Sequence, residues 1–340
     1  MKVTLLGLPQ AGQQQLFSLL TGIPLDNIIQ KPLDAHPGVC DVRDPRIAKL
    51  SSMFKPKKTT YTKIEFLLLP DFDLQGPQKD FLVAQLKNAD ELCFVVRSEN
   101  ADKEVASFLS ELLIYDLMLA EKRLENIEKE QRRKVSPQNE KEKELIQKCK
   151  TALDQEKPLI GLPFDPEQLK LLRAYQFLTL KAVVIALNVP EDKLKEPLAE
   201  QIRAKFKLPA VQLCAETEAE ISRLEPADQA EFMKELGIDE PALNKISRLA
   251  FEGLGLISYF TVGEDEVRAW PVRKGATAQE AGSIIHSDIA KGFVRAELMK
   301  YDDFIAAGSE AKLKELGKFS LKGKDYLVED GDLLSFRFNV

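Results

Sequence analysis

Short apolar runs in alternation with helical segments constrain this chain more than any other feature. Val3-Thr4-Leu5-Leu6 is apolar and β-prone, and "KIEFLLLP" (63–70) and "ELCFVVR" (91–97) are apolar on both faces. A strand with two apolar faces belongs inside a parallel sheet covered by helices on each side. Between the last two runs "FLVAQLKNAD" (81–90) has helical spacing, which makes β-α-β order. The pattern resumes at "KAVVIALN" (181–188) and at "PAVQLCAETEAEI" (209–221), a strand running into a helix. The spacing predicts an α/β fold with a doubly wound sheet.

The stretch from Ala101 interrupts that pattern. Val105, Phe108, Leu109 and Leu112 share one helix face, and Leu113, Leu117, Leu124 and Ile127 extend the stripe. A highly charged segment follows, with Ser136-Pro137 as its one strong breaker. Two long helices joined near Pro137, an antiparallel hairpin, are expected. From Ile257 onward short strands, turns and one helix alternate, with Asp330-Gly331 as a turn signal before the last strand. This reads as a separate small α+β module. Its mixed charges, like those of the hairpin tip (Lys129, Arg132, Arg133, Lys134), allow either a solvated surface or a phosphate-binding face.

At 340 residues the chain has room for two or three domains. No apolar run approaches the roughly 20 residues that span a bilayer, so no membrane partner is expected. The N-terminus carries no basic flank or small-residue cleavage site, and the four cysteines are scattered without a C-x-x-C pair. A reducing cytoplasmic setting is the expectation. The net charge of −6 argues against bulk nonspecific nucleic-acid binding.

The first strand leads into "GLPQAGQQQLF" (7–17). Gly7 and Gly12 stand at the spacing of G-x-x-x-x-G-K-[ST], where backbone N–H groups wrap a polyphosphate at a helix N-terminus. The next positions are Gln13, Gln14 and Gln15 instead of Lys and Ser or Thr. A phosphate-paired lysine is worth ~1.5–3 kcal/mol, so its loss lowers affinity roughly ten- to more than a hundred-fold. As residues alone, the loop admits a bare strand-to-helix turn, a nucleotide site without hydrolysis, or a residual NTPase.

Taken together, "GLPQAGQQQLF", "DPRIAKLSSMFKP", "YQFLTLK", "ALNVPED", "LCAETEAEI", "LGIDEPALNKI", "LISYFTVGEDEVRAWPV", "GATAQEAGSIIHSDIAKGFVRAELM" and the closing "LKGKDYLVEDGDLLSFRFNV" resemble the YchF-type branch of Obg-like P-loop NTPases, of the TRAFAC class. The resemblance implies a G domain in two segments (1–100 and 175–254), an inserted helical hairpin (101–174) and a C-terminal TGS-like β-grasp module (255–340). It also implies a ribosome or RNA partner. Apart from the resemblance, the hairpin is a candidate surface for a protein partner, and no DNA specificity is expected.

The departures from the family pattern converge on phosphate chemistry. Gln13-Gln14-Gln15 replaces Lys-Ser-Thr. Leu68 stands at the Asp and Asp71 at the Gly of the family's Asp-x-x-Gly, and neither Asp71 nor Asp73 falls at the metal spacing. Residues 22–44 hold no threonine, and "SENADKEV" after Arg97 lacks the family's histidine. The base side persists: Asn188-Val189-Pro190-Glu191 keeps the family's Asn-x-x-Glu, which implies adenine tolerance, and Cys214-Ala215-Glu216 keeps the second base loop. A plain strand end with a helix cap explains Asn188 and Glu191 as well.

The candidate nucleotide-binding residues are therefore Gly7, Gln10, Ala11, Gly12, Gln13, Gln14, Gln15, Asn188, Val189, Glu191, Cys214, Ala215 and Glu216. No catalytic residue and no metal ligand is assigned. The implied role is a nucleotide-binding regulatory protein with lost hydrolysis, weak ATP or GTP binding at best, and no Mg²⁺. The rivals are an active ATPase or GTPase with rearranged residues and a structural adaptor with an empty pocket.

Overall fold

The computed structural model describes residues 2–133, 137–238 and 240–339. Ser136 of the expected hairpin breaker and Lys134 of its basic tip lie outside the described residues. The chain begins β1 (Lys2–Gly7), α1 (Gln13–Thr21), α2 (Leu25–Ile29), β2 (His36–Val42), α3 (Pro45–Phe54), β3 (Lys58–Thr60), β4 (Thr62–Leu68), α4 (Lys79–Lys87) and β5 (Glu91–Arg97). It continues α5 (Ala101–Arg133), α6 (Pro137–Asp154), α7 (Pro166–Arg173), β6 (Ala182–Asn188), α8 (Leu198–Phe206), β7 (Ala210–Leu213), α9 (Ala215–Arg223), α10 (Pro226–Leu236) and α11 (Ala242–Gly253). The last part is β8 (Leu256–Thr261), β9 (Glu266–Arg273), α12 (Ala278–Ile285), α13 (Ser287–Lys291), β10 (Phe293–Lys300), α14 (Tyr301–Ala307), α15 (Glu310–Glu315), β11 (Ser320–Lys322) and β12 (Asp332–Phe338). Contacts divide the chain into two units, Met1–Gly38 with Glu65–Leu243, and Val39–Ile64 with Asn244–Val340.

The first unit is built on the sheet of order β2-β4-β1-β5-β6-β7, with β4, β1, β5, β6 and β7 pairing in parallel. The central strands are buried on both faces, as their continuous Val, Leu and Phe content requires. Glu91 is the exception at the start of β5. It is fully buried with neither carboxylate oxygen hydrogen-bonded, and burial pushes its carboxyl up to about 9.

Helix α5 serves two cores in succession. Its first turns put Val105, Phe108 and Leu112 against the sheet, and its later turns put Ala120 and Leu124 against Leu145, Ile146 and Cys149 of α6. The ion pairs Lys150–Glu121 and Arg123–Glu142 run in opposite chain directions, so α5 and α6 are antiparallel. Asp116, fully buried, ties α5 to the chain before β6. Its carboxylate accepts from the Leu178 and Thr179 N–H groups at 2.9 and 2.7 Å and from the Thr179 hydroxyl at 2.7 Å.

The second unit carries the sheet β11-β10-β12-β8-β9-β3. Two sequence expectations change here. Residues 39–64, expected in the first domain, group with the C-terminal part: β3 pairs in parallel with β9, and Ile47 and Leu50 of α3 pack with Phe260, Val267 and Leu333. The one helix expected after Ile257 is four short ones, α12 to α15. Each is at most eight residues long, too short to show a period, and local caps define them. Thr277 and Glu280 form a capping box on α12, and Ser309 caps α15.

Candidate functional site

The loop between β1 and α1 is a tight strand-to-helix turn. Gln10 and Gly12 both have positive φ, at 65° and 92°, and the Ala11 N–H closes a turn on the Leu8 carbonyl at 3.1 Å. The N-terminus of α1 has no side-chain cap and no acidic residue in its first turn. Helix N-termini left without a side-chain cap present orphan N–H donors, which in other helices can hold phosphate.

Asn188, at the end of β6, stitches the loop to the base side. Its Nδ2 donates to the Ala11 carbonyl at 3.1 Å, and its Oδ1 accepts from the Ala215 N–H at 3.1 Å. Gln15 Nε2 donates to the Ala215 carbonyl at 3.3 Å, so α1 and the start of α9 are joined twice over. A Cβ on Gly12 would lie 2.5 Å from Asn188 Nδ2, so the close approach and the left-handed φ both require glycine.

The other predicted residues divide by exposure. Gly7, Ala11, Gly12, Gln13, Asn188 and Ala215 converge, while Gln10 and Glu216 face solvent and Gln14 is half-buried. Val189 is core, with its N–H on the Leu213 carbonyl at 2.8 Å. Cys214 is buried at the cap of α9. Glu191 is exposed, with its Oε2 accepting from the Thr217 hydroxyl at 3.3 Å.

Gln13 itself is fully buried. Its Nε2 donates to Asp71 Oδ1 at 2.6 Å. Its Oε1 has no hydrogen-bond partner and lies over Gly7, 3.0 Å from where a Cβ on that glycine would sit. The sequence alone offers Asp71 as a substitute metal ligand or, in the rival NTPase reading, as a residue in a new catalytic role, and leaves it out of the binding site. The signal for its true position is the continuation of β4: Leu69 donates to the Leu5 carbonyl at 3.0 Å and Phe72 to the Gly7 carbonyl at 2.8 Å. Leu69, Phe72 and Leu74 are buried, and Phe72 packs edge-on against Phe94 and Phe108.

The residue types here do not fit Mg²⁺ as a phosphate loop holds it. That site needs a hydroxyl after the lysine position and a carboxylate at the strand end. Gln14 and Leu68 stand there instead. Among the described residues no group of three or more His, Cys, Asp or Glu side chains is placed to hold a metal ion. The segment after Arg97 is a short turn whose arginine pairs with buried Glu104 at 3.4 Å.

The sheet order and the strand–loop–helix joint at Gly7–Gln13 define an α/β protein of the P-loop class. Comparison with known proteins narrows this. Residues 256–339 match the family model YchF-GTPase_C, described as a protein of unknown function (DUF933). The ribosome-binding ATPase YchF of Bacillus subtilis is 35% identical over 99% of this chain and 98% of its own length. Its namesake in Haemophilus influenzae is 35% identical over 100% and 99%. The solved YchF GTPase of Schizosaccharomyces pombe superposes with a TM-score of 0.83 at 24% identity, covering 99% of this chain and 97% of that one, which establishes the shared fold. The chain belongs to the YchF family.

Proposed function

We propose that this protein is a ribosome-associated, cytoplasmic member of its family that has lost nucleotide hydrolysis and acts by binding. Its pocket takes ATP or GTP weakly and without Mg²⁺, through Gly7–Gln15 and the base side at Asn188, Glu191 and Ala215. Its C-terminal unit serves as a TGS-type module toward ribosome or RNA. The observation that carries this reading is the Gln13–Asp71 hydrogen bond: the side chain at the lysine position is committed to a carboxylate within the protein. The names of the relatives, ribosome-binding ATPases, support the partner. No helix among the described residues is long and apolar enough to cross a membrane.

Two assays test it. Phosphate release from ATP and GTP, with and without Mg²⁺, is expected at the level of a protein-free blank. Linear release that Gln13→Ala abolishes would overturn the loss of hydrolysis. Comigration with ribosomes in a sedimentation assay at low salt is expected, and its absence would overturn the partner. A protein partner at the hairpin is a second reading, favoured by Ile114 and Met118, both more than half exposed and one turn apart on α5. Ile114→Asp with Met118→Asp, which charges that patch and leaves the C-terminal unit intact, separates the two partners.

A further inference from the structure

We propose that Gln13 and Asp71 form a latch that excludes polyphosphate, so that the pocket selects the nucleoside end of a nucleotide over its phosphates. This rests on the reading of residues 7–15 as a nucleotide loop.

A phosphate loop grips because the side chain after its second glycine carries a positive charge to the phosphate oxygens. Here that side chain is a neutral amide, and its donor is already used at 2.6 Å by Asp71 Oδ1. The side chain at the position that grips a phosphate oxygen in a phosphate loop thus grips a carboxylate oxygen of the protein instead. That oxygen carries the same sign of charge as the group it replaces. Among the described residues no ion pair engages Asp71, and residues 7–15 contain no Lys or Arg to offset a second anion.

The latch is also held in place. Gln13 is fully buried while Asp71 is exposed, so the carboxylate holds the buried amide from the solvent side, and releasing it would leave Nε2 without that partner. The backbone beside Asp71 is anchored, because the Phe72 N–H donates to the Gly7 carbonyl at 2.8 Å and the Phe72 ring packs edge-on against the stacked Phe94 and Phe108. An incoming phosphate must therefore compete with a charge-assisted hydrogen bond and sit near a carboxylate of the same sign. Polyphosphate is expected to lose at least about ten-fold in affinity to this arrangement.

The test is calorimetry on the full chain with adenosine, AMP, ADP and ATP in the absence of Mg²⁺, with circular dichroism to confirm folding. It compares the wild type with Asp71→Asn, Asp71→Gly and the double variant Gln13→Lys/Asp71→Gly. The wild type is expected to bind adenosine at least as tightly as ATP. Asp71→Asn, which keeps the shape and removes the charge, should raise ATP and ADP affinity about ten-fold and leave adenosine unchanged. The double variant should raise ATP affinity further. Binding of ATP that appears only in the variants has the same meaning. An ATP-to-adenosine affinity ratio that is equal in wild type and Asp71→Asn overturns the latch, and so does the absence of binding by every variant. Hydrolysis by the wild type overturns the proposed loss of activity instead, and the ratio still judges the latch.

Discussion

Arg46 and Asp330 lie 284 residues apart and meet through two hydrogen bonds, Nη1 to Oδ2 at 2.7 Å and Nη2 to Oδ1 at 3.2 Å. The same guanidinium bonds Asp44 at the cap of α3 and lies 5.2 Å from the centre of the Phe260 ring. Asp330 in turn accepts from the Ser258 N–H at 2.9 Å. One planar cation thereby fastens an early helix to the sheet of the second unit.

Arg46→Ala should therefore destabilise that unit by about 1–2 kcal/mol, kept modest because Asp330 is half exposed. Arg46→Lys should recover only part of this, since an ammonium cannot bond both carboxylates in the same fork. Urea unfolding of the full chain measures both. An unchanged midpoint in Arg46→Ala would mean that the pair contributes nothing to stability.

Gly12→Ala tests the stitching at the loop. With φ at 92° and Asn188 Nδ2 only 2.5 Å from the new Cβ, the variant should lose about 1–3 kcal/mol. Asn188 should move off Ala11, and the Ala215 amide should lose its acceptor and exchange faster with solvent. Hydrogen exchange at Ala215 reads this directly. Wild-type protection there would refute the steric link between Gly12 and Asn188.

Glu91 makes stability depend on pH in an unusual direction. Its carboxyl, at about 9 in the folded protein, stays protonated while the unfolded chain ionises near 4.5. The folded state therefore binds more protons between these values, and stability falls as pH rises from about 5 to 9, by at most about 1.4 kcal/mol per pH unit. Glu91→Gln should melt higher than wild type at pH 8 and show a smaller loss between pH 5.5 and 8. Parallel melting curves for the two proteins across that range would contradict the burial argument.

The parts of the fold that were legible share a physical basis. Strands β4, β5 and β6 announce themselves because burial on both faces demands continuous apolar runs, and α5 and α6 because a long helix shows its period many times. The α12–α15 helices are too short for that, and residues 39–64 carry no mark of which sheet they join. The loop at Gly7–Gly12 was legible because glycine is required where φ is positive or backbones approach closely. Asp71 was not, because its place depends on how far the chain runs beside β1 beyond the end of β4.

By itself the sequence determined the class of the first unit, the presence of the hairpin, the family resemblance and the absence of lysine, hydroxyl and histidine from the phosphate chemistry. These are properties of residue type and local spacing, and they need no partner from elsewhere in the chain. Tertiary structure alone decided that Gln13 grips Asp71, that Asn188 ties the loop to Ala215, and that Arg46 serves the second sheet. Each of those joins residues 27 to 284 positions apart, and only the packing of buried strands and helices sets which distant side chains meet.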